Sequence, residues 1–166
     1  GERAWASLRQ SIGGVDALLH VVDGFSSSDV REIINRYRQV EDELVLSDLM
    51  IVENRMERLS RTSKKALTSQ DLSQARLLPQ LKEGLEKGKP MREIELTPEE
   101  IQSLRSFSFW TIRPELVVVN TAEDTLSLAE DFKRQAALSL PVMGICCQAE
   151  AELLGLSLEE QKEFLA

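Results

Sequence analysis

The sequence predicts an α/β fold, a parallel sheet flanked by helices, with an antiparallel helical hairpin inserted into it. Three observations carry this. Short apolar runs at residues 15–22, 116–119 and 141–147 alternate with amphipathic stretches. The second run is mostly β-branched, as in a strand buried on both faces. Between the first and second runs lies a stripe of a different period, in which Val45, Leu49, Val52, Met56 and Leu59 recur at spacings of 4, 3, 4 and 3, the a/d rhythm of paired helices.

Composition sets the frame. The chain has 166 residues, 42% hydrophobic and 29% charged, the balance of a globular protein with one core and room for an insertion. No apolar run reaches the roughly 20 residues needed to cross a bilayer, and no basic flank leads into an apolar stretch at the N-terminus. The expected setting is the cytoplasm, with no membrane partner. A net charge of -8 opposes non-specific nucleic-acid binding over the whole surface. Local basic patches remain open to RNA. The two cysteines, Cys146 and Cys147, are adjacent. Alone they make no zinc site, and neighbouring cysteines rarely close an unstrained disulfide, so reduced thiols are expected.

Taken in order, Val15–Val22 reads as a buried strand ending in Asp23-Gly24, and Ser28 or Asp29 as the cap of a helix through Arg36. A separate helix opens on Glu41-Asp42-Glu43 and closes on Arg58, Arg61, Lys64 and Lys65, both ends complementing the helix dipole. Thr68 to Asp71 opens the second arm, which carries Leu78, Leu81 and Leu85; Pro79 within it predicts a kink or a late start. Thr97-Pro98-Glu99-Glu100 is a third start, with a Thr cap, Pro in the first turn and Glu at the third position. Glu115 to Val119 then runs as a strand into Asn120. A helix over Thr125–Leu138, with Leu126, Ala129 and Phe132 apolar, leads to a last strand over Pro141–Cys147 and two short helices, the second opened by Ser157 and Glu160. The resulting division is 1–40 for part of the core, 41–106 for the hairpin and 107–166 for the rest of the core.

Ligands of open α/β sheets sit at the carboxyl ends of strands. Those ends are Asp23-Gly24, Asn120-Thr121-Ala122-Glu123 and Cys146-Cys147-Gln148. Taken alone, an Asn after a strand is most often a turn former. Asn-x-x-Glu at a strand end nevertheless resembles the base-reading Asn-Lys-x-Asp of P-loop GTPases, with Thr121 and Glu123 replacing Lys and Asp. That replacement is the pattern of the YchF-type, Obg-like ATPases. Further segments agree in order: His20 to Val22, Glu43 to Leu49, Leu78 to Leu81, Ser106 to Pro114, Ile145 to Glu152 and Glu159 to Leu165.

The resemblance covers nearly the whole chain. It implies part of a P-loop NTPase sheet, Rossmann-like, with a coiled-coil insertion, in a cytoplasmic, ribosome-associated protein that binds and hydrolyses ATP or GTP with magnesium. By the same resemblance, Asn120 contacts the adenine, Thr121 gives backbone contacts to its amino edge and Glu123 shapes the pocket. Cys146, Cys147 and Gln148 occupy the fifth GTPase motif. The magnesium ligands are expected outside this chain, because no G-x-x-x-x-G-K-[ST] occurs in it and Gly13-Gly14 has no Lys-Ser/Thr after it. The switch regions and a TGS-like domain are missing as well, and Asp23 stands where a basic residue is usual in the family. The chain alone is therefore expected to be inactive, in a parent that continues upstream with a P-loop.

The alternative is a non-catalytic module on a degenerate core that recruits a protein or the ribosome. A third reading is a nucleotide-dependent dimer with the hairpin as its interface. The basic group at the hairpin turn is either a solvated tip or an RNA contact. His20, the only histidine, reads as structural, since a lone His makes neither triad nor metal site.

Overall fold

The computed structural model describes residues 15–164, apart from the side chains of residues 64 and 164. Trp5 and the Gly13-Gly14 pair lie outside the described residues. Two compact units divide the rest. One takes residues 19–38 and 115–164; the other takes 15–18 and Gln39–Pro114.

The first unit is built on three strands, β1 (Leu18–Asp23), β2 (Glu115–Asn120) and β3 (Val142–Ile145), in the order β1-β2-β3. β2 and β3 are parallel, with Val117 opposite Val142 and Asn120 opposite Ile145. β1 runs the same way, because Leu18 N–H bonds to Pro114 O and Gly24 N–H to Asn120 O with an unchanged offset. Val22, Val117 and Val119 share a core with Ile33, Ile34 and Tyr37 from helix α1 (Val30–Arg61) and with Ala129 and Phe132 from α4 (Leu128–Ala136). Alternate residues of β1 face the other way: Leu19 is 64% exposed and Val21 56%. His20 lies on the covered side. Its Nδ1 meets Glu115 Oε1 at 2.9 Å, and its ring stacks at 4.9 Å on Tyr37. That is a structural histidine tying β1 to β2.

The second unit is helical. The later turns of α1 run antiparallel to α2 (Ser69–Glu86), since Arg55 pairs with Asp71 while Glu53, earlier in α1, pairs with Lys82 at 2.8 Å, later in α2. Between them Val45, Val52 and Leu59 pack against Leu77, Leu78, Leu81 and Leu85, and Leu49 and Met56 border the cluster. The apolar stripe of the sequence is this seam. Thr68 and Asp71 form a reciprocal capping box at the start of α2, and Thr97 and Glu100 do the same at α3 (Pro98–Leu104). Gln74, buried on α2, donates to Ser103 O at 3.0 Å and accepts from Arg55 Nε at 3.0 Å. Asp48 closes the unit. It is fully buried and accepts from Trp110 N–H at 3.0 Å, Thr111 N–H at 2.8 Å and Thr111 Oγ1–H at 2.7 Å. Thr111 Oγ1 in turn accepts the Met91 N–H at 2.9 Å.

Four expectations change. The helix through Arg36 and the helix from Val40 are one helix, α1, because Tyr37-Arg38-Gln39-Val40 contains no residue that stops a helix. Asp29 caps its start, accepting from Arg31 N–H at 2.9 Å. Pro79 sits inside α2, which begins ten residues earlier at Ser69, so there is no late start. The helix expected from Thr125 begins at Leu128, after a short 3-10 turn over Glu123–Thr125, and Leu126 is 45% exposed. The strand expected to run to Cys147 ends at Ile145.

Two predictions follow from the helical unit. Asp48→Ala strands three buried donors at about 1 kcal/mol or more each, so urea unfolding should show a loss of about 3 kcal/mol or more; an unchanged midpoint would refute the clamp. The second concerns pH. The Thr68 N–H and hydroxyl, then Arg55, hold the Asp71 carboxyl below its ordinary 3.8. A lowered folded value means its contribution is complete above the unfolded value and fades as pH falls through the lowered one. Asp71→Asn should therefore reduce the drop in melting temperature between pH 5 and pH 2, while an undiminished drop would count against it.

Candidate functional site

The three strand ends meet around one small pocket. At the end of β1, Asp23 accepts from the N–H groups of Phe25 at 2.9 Å and Ser26 at 3.0 Å. Arg36 Nη1 donates to the Asp23 carbonyl at 2.6 Å and to its carboxylate at 3.2 Å. The Ser26 side chain first, then the Ser26 and Phe25 N–H groups and Arg36, hold the Asp23 carboxyl below its usual range. The result is a tight turn fixed by a carboxylate. Gly24 lets it approach β2: a Cβ there would lie 2.9 Å from Val119 Cγ1 and 3.2 Å from Asn120 O. With no side chain, its N–H reaches Asn120 O at 2.8 Å.

At the end of β2, Asn120 is held from both sides. Its carbonyl takes the Gly24 N–H, and its side-chain Oδ1 accepts the Cys147 N–H at 3.0 Å. This bond orients the amide, leaving Nδ2 without a protein partner among the described residues. Thr121 N–H goes to Ile145 O at 2.8 Å. The Thr121 side chain is fully buried, and its hydroxyl has no hydrogen-bond partner among the described residues.

At the end of β3, Cys146 caps helix α5 (Cys147–Leu154), its Sγ accepting the Ala149 N–H at 3.5 Å. Cys147 is thus a helical residue and not the end of a strand. Both thiols are free, Cys146 buried and Cys147 exposed.

The pocket has a volume of about 180 Å³ and is lined by Phe25, Ala122, Glu123, Cys146, Gln148 and Glu152, with Ala149 behind. That is less than the roughly 300 Å³ at which whole small-molecule sites begin, and suits one ring system. Of the residues singled out by sequence, Glu123, Cys146 and Gln148 line it. Asn120 and Cys147 bond to each other but do not line it, and Thr121 is buried without lining it. Phe25 and Glu152 were not anticipated. The signal for Phe25 was present in Asp23-Gly24, a turn at a strand end followed directly by an aromatic residue. Glu152 is one helical turn after Gln148, and the two are joined by a 3.0 Å hydrogen bond.

Elsewhere, Arg58, Arg61 and Lys65 are exposed near the turn between α1 and α2, with Arg61 bonded to Glu57 at 2.6 Å. Among the described residues no three His, Cys, Asp or Glu side chains converge as a metal site. No helix among them is long and apolar enough to cross a membrane.

The protein is of the mixed α/β class with the fold of a YchF GTPase. The solved structure of the Schizosaccharomyces pombe YchF GTPase superposes with a TM-score of 0.75 and 21% identity, over 93% of this chain and 46% of that one. Among curated relatives, the chain is 29% identical to the Ribosome-binding ATPase YchF of Bacillus subtilis over 99% of its own length and 47% of the relative's. It is 27% identical to Obg-like ATPase 1 of Oryza sativa subsp. indica over 85% of its length and 36% of the relative's. The likeness to YchF-type, Obg-like proteins read from the sequence thus extends over the whole chain, which spans about half the length of the curated relatives it matches. No protein-family model matches the chain.

The strand-end geometry makes a testable demand. Asn120→Ala removes the acceptor of the Cys147 N–H, so the Cys147 amide should exchange hydrogen about fivefold faster, for roughly 1 kcal/mol of local stability. Unchanged exchange at Cys147 would remove the link between the two strand ends.

Proposed function

We propose that this chain supplies the base-binding part and a helical arm of an Obg-like protein that binds and hydrolyses ATP or GTP. The observation that carries the reading is the bond from Cys147 N–H to Asn120 Oδ1 beside the pocket. It leaves the Asn120 Nδ2 donors free to meet a ring nitrogen of a purine. The Thr121 N–H is spent in the sheet, which leaves its carbonyl as the backbone group for an exocyclic amine. Glu123 and Glu152 line the pocket with carboxylates, acceptors that suit a base rich in N–H groups. Phe25 offers a ring face for stacking. Adenine and guanine both present an exocyclic amine, so ATP and GTP remain the two candidates.

The phosphate chemistry belongs to parts of the parent outside residues 15–164. There a P-loop and magnesium would support in-line attack of water on the γ-phosphate. In this reading residues 1–40 and 107–166 contribute to the nucleotide-binding core and 41–106 form the arm. The names of the relatives support a ribosomal partner, and the exposed Arg58, Arg61 and Lys65 offer it phosphate contacts. A cytoplasmic setting follows from that partner. The second reading, a non-catalytic module that recruits a protein or the ribosome through the arm, rests on the same exposed basic residues.

Calorimetric titration and a phosphate-release assay separate the two. A longer polypeptide carrying G-x-x-x-x-G-K-[ST] upstream of this sequence should bind ATP or GTP at micromolar concentration and turn it over. Asn120→Ala should weaken that binding about tenfold, and the 166-residue chain should show no turnover. Turnover by the shorter chain, or indifference of the longer one to Asn120→Ala, would overturn the proposal. A longer polypeptide that binds no nucleotide would leave the recruiting module as the function.

A further inference from the structure

The helical unit carries a second concave surface, a groove of about 440 Å³ with no part in the strand-end pocket. Its floor is apolar, made by Met91, Ile101, Ile112 and Pro114, and Ile101 is 42% exposed. One wall is the stretch Glu93-Ile94-Glu95-Leu96. Along it burial alternates, with Ile94 and Leu96 half-buried and Glu93 and Glu95 exposed. Glu93 closes the 3-10 turn Met91–Glu93, and from Ile94 the backbone is extended and pairs with no strand among the described residues. Among the described residues the N–H groups of Glu95 and Leu96 have no hydrogen-bond partner.

The charges are one-sided. The only cation lining the groove is Arg92, which is already bonded to the buried Glu41. Glu93 and Glu95 have no ion-pair partner among the described residues. The groove therefore presents an apolar floor, a short extended segment with a free N–H and two uncompensated carboxylates.

We propose that this groove binds an extended peptide in which basic and apolar residues alternate. Laid along residues 94–96, such a peptide takes a main-chain hydrogen bond from one of the two free N–H groups, Glu95 or Leu96. Its apolar side chains enter the floor between Ile101 and Ile112, and its Lys or Arg side chains meet Glu93 and Glu95. A nucleic acid is disfavoured at this place, because its phosphates would face the same two carboxylates. The inference is independent of nucleotide binding, since every residue it uses lies in the helical unit.

Fluorescence anisotropy on the full chain tests it, with a fluorescein-labelled peptide alternating Lys with Leu and Val as the probe. The expected result is saturable binding, weakened at least about tenfold by Glu93→Lys with Glu95→Lys. The reversal Glu159→Lys with Glu163→Lys, at residues that do not line the groove, should change it less than about twofold. A probe with Glu in place of Lys should fail to bind the unaltered chain, a comparison that needs no variant to fold. Equal binding of the two probes would overturn the proposal, as would equal effects of the two reversals. Labelled oligouridylate bound in a manner sensitive to Glu93 and Glu95 would assign the groove to RNA instead. Self-association abolished by the same reversal, seen by light scattering, would assign it to a second copy of this chain.

Discussion

The site depends on the register of β2 between its two neighbours. Asn120 stands opposite Ile145, and its carbonyl receives the Gly24 N–H. Because a shift of one residue would turn every side chain to the other face, the buried Val117 and Val119 fix that register through the core they share with Phe132. Once they are packed, the position of the Asn120 amide is decided, and with it the first residue of α5 that it holds. The apolar middle of the strand thus sets the polar chemistry at its end. The pocket is lined by residues just past the strand ends, Phe25 after β1, Ala122 and Glu123 after β2 and Cys146 after β3.

The helical unit solves a different problem. Its residues from Met91 to Pro114 contain only short helices and turns, so many of their backbone groups have no partner in a ladder. Asp48 and Thr111 supply some of those partners. One carboxylate and one hydroxyl account for the N–H groups of Trp110, Thr111 and Met91. A buried carboxylate is costly unless its lone pairs are filled. Here three donors fill them, and a loop acquires a fixed shape on a helical surface. The N–H groups of Glu95 and Leu96 have no such partner among the described residues.

Much of this was legible in the sequence. The three capping boxes at Thr68, Thr97 and Ser157 stand where the residue pattern puts them, since a cap is a local device. The β-branched run before Asn120 and the stripe from Val45 to Leu59 are strand and seam for the same reason. Other features were not local. Whether a helix continues through Tyr37 to Val40 is decided by what it packs on. Tyr37 is buried against Phe132, far along the chain, so the apparent change of pattern is no break. The end of β3 was misplaced by two residues because Ile145-Cys146-Cys147 is apolar throughout, while the boundary is set by Cys146 turning its sulfur to the Ala149 N–H. Phe25 was missed because an aromatic in a polar loop has no period to reveal it, and its place follows from the hydrogen bonds of Asp23. The likeness to YchF-type proteins was legible through motif order alone, at identities below 30%.

The path of the chain also orders its own assembly. His20 and Glu115 are 95 positions apart, so the pairing of β1 with β2 must close a loop containing the entire helical arm. The entropy of closing a loop grows with the length that is still flexible. An arm whose two long helices form early through near-neighbour contacts shortens that flexible length before the sheet assembles. The contact of Asp48 with Thr111, 63 positions apart, then brings the two exits of the arm under control. Local helices first, the carboxylate clamp next and the parallel sheet last is the sequence of events with the smallest entropic barrier at each stage. On this order the strand-end pocket is completed only once the arm has closed.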